Sequence, residues 1–109
     1  MAKGDFLGEF ELYVMLALAR LGEDAYGIAI RREIADRTGR DAVIGAVYAT
    51  LGRLEAKGLV RHALSAPLPV QGGRARKCFH LTGAGERALA QSTSMMTRMM
   101  RGWRPRRAE

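Results

Sequence analysis

The residues best suited to chemistry fall in two short stretches. VYATLGRLEAKGLV, residues 47–60, reads as a helix that stops at Gly58. Ile44, Val47, Leu51 and Leu54 form its apolar stripe, while the opposite face carries Gly45, Ala46, Ala49 and Gly52, with Arg53 as the one charge among them. A solvated helix face is rarely so bare, and small side chains are what close approach to another molecule requires. In a DNA major groove, alanine methyls can meet thymine methyls, and Arg53, flanked by Tyr48 and Thr50, would supply the few polar contacts. The second stretch is RARK, residues 74–77, behind the pair Gly72-Gly73. Arg74, Arg76 and Lys77 are suited to phosphate oxygens or a minor groove. The plainer readings are a helix that happens to be rich in alanine and glycine, and a solvated run of charge.

Charge separates the two halves of the chain. Residues 1–70 hold nine Lys/Arg and nine Asp/Glu, whereas residues 71–109 hold nine basic residues against two acids, so the whole net charge of +7 lies in the last third. That asymmetry points to a polyanion, most often nucleic acid, with a solubilising basic tail as the alternative. The length of 109 residues suits one domain, and a hydrophobic content of 48% excludes a disordered chain. The uncharged run Leu12 to Ala19 is far short of a membrane span. The start, MAKGDF, lacks the apolar segment of a signal peptide, and the single Cys78 suits a reducing compartment, so a cytoplasmic protein is expected.

The elements that position these residues follow from periodicity. Glu9 to Leu21 is predicted as helix, with Phe10, Val14, Ala17 and Leu21 on one stripe and Leu12, Met15, Leu16 and Ala19 making the other side apolar too. A helix apolar all round is buried all round, and part of this one, Met15 included, is expected to meet a second subunit. Asp24 is expected to cap a second helix over residues 25–38, ended by Gly39. The third helix is predicted over 44–57. Residues 59–64 and 77–81 read as two strands joined by the loop SAPLPVQGGRA. Thr82 would cap a fourth helix over 83–101, closed by Gly102 and Pro105.

The fold class implied is mainly α with a small β-hairpin: a winged helix-turn-helix over residues 1–82, a C-terminal helix over 83–104 and a basic tail over 105–109. Three blocks, AYGIAIRREIADRTG, GAVYATLGRLEAKGLV and GGRARKCFHLTGAGERAL, resemble the PadR family of bacterial transcriptional regulators over roughly residues 9–90. The short last helix is similar to the compact subfamily. The resemblance implies a homodimeric repressor that binds a double-stranded DNA operator, with Tyr48 as a DNA contact. Where the family typically has Leu-Tyr-Pro and Gly-Thr, this chain has Val47-Tyr48-Ala49 and Gly45-Ala46, which leaves its helix contacts and operator open.

Leu89, Ser92, Met96, Met99 and Trp103 recur at spacings of 3, 4, 3 and 4, the pattern of a helix-packing seam, widened by Met95 and Met100. A dimer interface is expected there, and the resemblance implies the same. Methionine adapts to irregular surfaces. The resemblance further implies a planar aromatic effector stacked on Trp103, an interface core without ligand being the other reading. Cys78 and His80 share one strand face and His62 lies on the other strand, too sparse a set to predict a metal. Neither a phosphate-binding glycine loop nor a nucleophile with a neighbouring base is found, so neither an enzyme nor a cofactor is expected. The rival functions are a protein-interaction module of the same fold and a nonspecific basic nucleic-acid binder.

Overall fold

A computed structural model describes residues 7–65 and 76–106. The order is α1 (Glu9–Leu21), a 3-10 turn (Gly22–Asp24), α2 (Gly27–Thr38), α3 (Ile44–Ala56), β1 (Val60–Leu64), β2 (Lys77–Leu81) and α4 (Gly83–Met100). The two strands pair antiparallel, Val60 opposite Leu81 through Leu64 opposite Lys77. The loop expected between them, with Gly72, Gly73 and Arg74, lies outside the described residues.

α1 is the central element and touches α2, α3, β2 and α4. That explains its apolar circumference without a second subunit at every position. Val14, Met15, Ala17 and Leu18 are buried, and Met15 is 0% exposed. Met15 was expected at a dimer interface and is instead in the chain's own core, closed in with Ile30, Ile34, Val47, Leu51, Leu54, Val60 and Phe79. Only Leu16 of the large apolar residues on α1 stays exposed. The N-terminal end of α1 is tied back by Glu11, whose Oε1 accepts from the Gly8 amide at 2.9 Å, the acidic half of a capping box.

α2 begins at Gly27, later than Asp24 would allow as a cap. Tyr26 is extended, and the segment adds to the sheet instead: the Phe79 amide donates to the Ala25 carbonyl at 2.9 Å, and Tyr26 bridges Cys78. α2 ends where expected, at Gly39 in the left-handed region with φ 77°. The end of α3 likewise passes through Gly58 at φ 77°. The Thr82 hydroxyl accepts from the Gly85 amide at 3.0 Å and donates to the Gly58 carbonyl at 2.7 Å, so one side chain caps α4 and fastens it to the end of α3. The first half of α4 packs on the body through Gly85 and Leu89. Its second half carries Met96, Met99 and Met100 outward. Among the described residues no helix is long and apolar enough to cross a membrane.

Candidate nucleic-acid interface

α2 and α3 are joined by a short, well-fastened turn. Arg31 donates from Nε to the Ala42 carbonyl at 2.6 Å and from Nη2 to Asp41 Oδ1 at 2.8 Å. The Thr38 hydroxyl donates to the Ile34 carbonyl at 2.7 Å and accepts from the Arg40 amide at 3.0 Å. With the turn fixed, α3 buries Val47, Thr50, Leu51 and Leu54 and exposes Gly45, Ala46, Tyr48, Ala49, Gly52 and Arg53 on the opposite side. The bare face expected from sequence is therefore a solvent face. Val43, at the leading end of α3, is 71% exposed.

One polar residue of α3 departs from expectation. Thr50 was expected at the flank of that face and is buried at 1% exposure, its Oγ1 accepting from Arg53 Nη2 at 3.0 Å. A buried hydroxyl needs a partner, and Arg53 supplies it, which draws the guanidinium back along its own helix. Tyr48 lies at the flank, half-exposed, against Gly27 of α2 and with its ring centroid 6.4 Å from that of Phe79.

The hairpin brings a second basic group to the start of α2, beside Gly27. The Arg76 guanidinium lies 3.9 Å from the centre of the Tyr26 ring, a cation–π contact that holds the charge beside the start of α2. The backbone of Arg76 is fixed too, its carbonyl accepting from the Ser65 amide at 2.8 Å. Lys77 begins β2 and is exposed. Tyr26 as a platform is not legible from sequence, where it falls in the first turn of the helix expected over residues 25–38 and no local signal ties it to the start of β2. Arg61 is exposed on β1 as well, and no local pattern in the sequence marks it.

β1 and α3 are joined by His62 Nδ1 and Glu55 Oε2, 2.6 Å apart. His62 stands opposite Phe79 and Cys78 opposite Ala63, so adjacent positions put His62 and Cys78 on opposite faces of the hairpin. The three sulfur and imidazole groups do not converge. Cys78 is buried, its Sγ donating to the Glu23 carbonyl at 3.1 Å.

Ion pairs tie the scaffold together around the face. Burial pushes the Glu11 carboxyl up, but the Gly8 amide, the Lys57 ammonium 3.0 Å away and nearby Arg53 outweigh it and hold the group below its ordinary value. Glu33 is likewise lowered, chiefly by its hydrogen bond from Arg37, with Arg20 at 3.2 Å adding to it.

The expected seam on α4 divides in two. Leu89 belongs to the chain's own core, and Ser92 is half-buried, whereas Met96, Met99 and Trp103 are exposed, Met99 to 82% and Trp103 to 64%. A shallow groove lined by Leu12, Tyr13 and Leu16 of α1 and Thr93, Met96 and Thr97 of α4 runs beside them.

The model of the transcriptional regulator PadR-like family matches residues 15–91. Several solved structures are similar. A PadR family transcription regulator from Clostridium difficile is 26% identical with a TM-score of 0.68, over 85% of this chain and 95% of that one. A PadR-like transcription factor from Bacteroides fragilis is 28% identical with a TM-score of 0.69, over 83% and 82%. A winged-helix DNA-binding protein from STIV, 16% identical with a TM-score of 0.71 over 91% and 99%, shares the fold. No curated protein matches the chain.

Proposed function

The chain belongs to the PadR-like family of transcriptional regulators, with the winged-helix DNA-binding fold, and on that premise we propose that it is a cytoplasmic, homodimeric repressor that binds an operator in duplex DNA and leaves it when a small planar effector binds. The observation that carries this reading is the exposed small-residue face of α3, with Tyr48 of the same helix against Gly27 and Arg76 stacked on the adjacent Tyr26 at the start of α2. α3 would enter a major groove, and Tyr48, Arg53, Arg76 and Lys77, with Arg74, would hold phosphates around it.

The exposed apolar residues of α4 support the dimer. Met96, Met99 and Met100 in the last turns of α4, and Trp103 just past its end, are left uncovered by the chain's own core. Residues 83–104 would be the dimerisation segment and residues 105–109 a basic tail. Two copies of α3 would then reach successive major grooves about one DNA turn apart. An effector seated between the methionines and Trp103 needs to favour the non-binding arrangement by only ~1–3 kcal/mol to regulate it.

Native mass spectrometry with duplex DNA from upstream of the protein's own coding region tests the proposal. Two chains per duplex are expected. One chain per duplex, or no complex, would refute the homodimeric operator-binding reading.

A further inference from the structure

We infer that α3 reads its DNA site through the 5-methyl groups of pyrimidines, thymine above all, with Val43, Ala46 and Ala49 as the reading residues. The inference rests on the DNA-binding reading above and specifies its chemistry. The part of α3 that leads into a groove presents Val43, Gly45, Ala46 and Ala49, all exposed and none with a side-chain donor or acceptor. Arg53 lies further along the helix and donates to Thr50, and the hydroxyl end of Tyr48 lies over Gly27 of α2.

A surface of this kind can discriminate bases in one way. In the major groove adenine, guanine and cytosine display only hydrogen-bonding groups, whereas thymine adds a methyl. Apolar side chains pressed on a polar edge strip its water and return no hydrogen bond, which is unfavourable. Pressed on a methyl, they bury apolar area, which is favourable. Val43 supplies the largest such surface, and the bonds from Arg31 to Ala42 and Asp41 fix the turn that carries it before DNA arrives.

The test begins with a duplex enriched by the protein from a random pool, then remade with each thymine in turn replaced by uracil, which removes only the methyl. One or two positions in each half-site should each lose about fourfold in affinity, the worth of one buried methyl-sized group, and the remaining positions none. Val43→Ala should shrink that penalty while the salt dependence of binding stays as in wild type; Ala49→Gly provides a second variant. Cytosine and 5-methylcytosine at the sensitive positions separate the two sources of the methyl: recovery with 5-methylcytosine assigns recognition to the methyl itself, and loss with both confines it to thymine. An enriched duplex whose affinity is unchanged by every uracil overturns the inference and leaves the DNA-binding reading intact. Failure to bind or enrich any duplex overturns the DNA-binding reading, and this inference with it.

Discussion

Tyr48 occupies the space that a side chain on Gly27 would need: a β-carbon there would lie 2.4 Å from both Cζ and Oη of the tyrosine. The absence of a side chain at the start of α2 is what lets α3 lay its one exposed aromatic across it. Gly27→Ala should therefore swing Tyr48 away. Because Tyr48 is half-exposed, the fold should survive while DNA affinity falls. Tyr48→Phe, which keeps the ring and removes the hydroxyl, should weaken all duplexes by about tenfold, the scale of one hydrogen bond to a charged group. Anisotropy titrations with thermal melts of both variants check this; a Gly27→Ala protein that binds as wild type does would detach Tyr48 from the interface.

Gly85 has the opposite consequence. A β-carbon there would lie 1.9 Å from the Leu59 carbonyl oxygen, which is backbone and cannot rotate aside. Gly85→Ala should force α4 off the end of α3 at a cost of about 1–3 kcal/mol, typical of overpacking. A Tm lower by roughly 4–8 °C for each kcal/mol lost is the expected reading by calorimetry.

Arg76 and Lys77 are expected to meet phosphates, so truncating either should weaken specific and scrambled duplexes alike. Each phosphate contact removed should lower the slope of log K against log salt by ~0.9. A slope unchanged in the Arg76→Ala, Lys77→Ala double variant would remove the hairpin from the interface.

Met99, exposed to 82%, contributes nothing to the chain's own core. Met99→Glu should leave the monomer folded and place a charge in the proposed dimer seam. Light scattering should then report half the wild-type mass. Retention of the wild-type mass would move the dimer interface elsewhere.

Glu11 gives the fold a pH dependence. Its folded value is lowered by the Gly8 amide and Lys57 despite burial, so its contribution is present above the ordinary value of 4.5 and is lost as pH falls through the lowered value. Wild type should exceed Glu11→Gln in stability at neutral pH, and the difference should close below that value. Urea titrations at several pH values read the two curves directly.

Element types were largely legible from the chain, because periodicity and glycine stops are local signals. Thr82, Gly39 and Gly58 do at the structure's helix ends what their types predict. The exceptions arise from contacts distant in sequence. Ala25 and Tyr26 look like the first turn of a helix until β2 pairs with them, which delays α2 to Gly27. Met15 looks like surplus apolar surface on α1 until α2, α3, α4 and the hairpin close around it. Thr50 reads as a polar flank residue, and its burial depends on the partner that Arg53 provides. The face of α3 was readable because Gly45, Ala46, Ala49, Gly52 and Arg53 recur at helical spacing. The Tyr26 platform for Arg76 was not, since nothing local links a residue before α2 to the start of β2.

The measurement that bears most directly on the central claim is fluorescence anisotropy across a salt series, with duplex DNA from upstream of the coding region beside a scrambled duplex. Tight binding that prefers the upstream duplex and falls steeply with salt is the predicted result. Equal, weak binding to both duplexes would contradict operator recognition and leave only a basic domain of this fold.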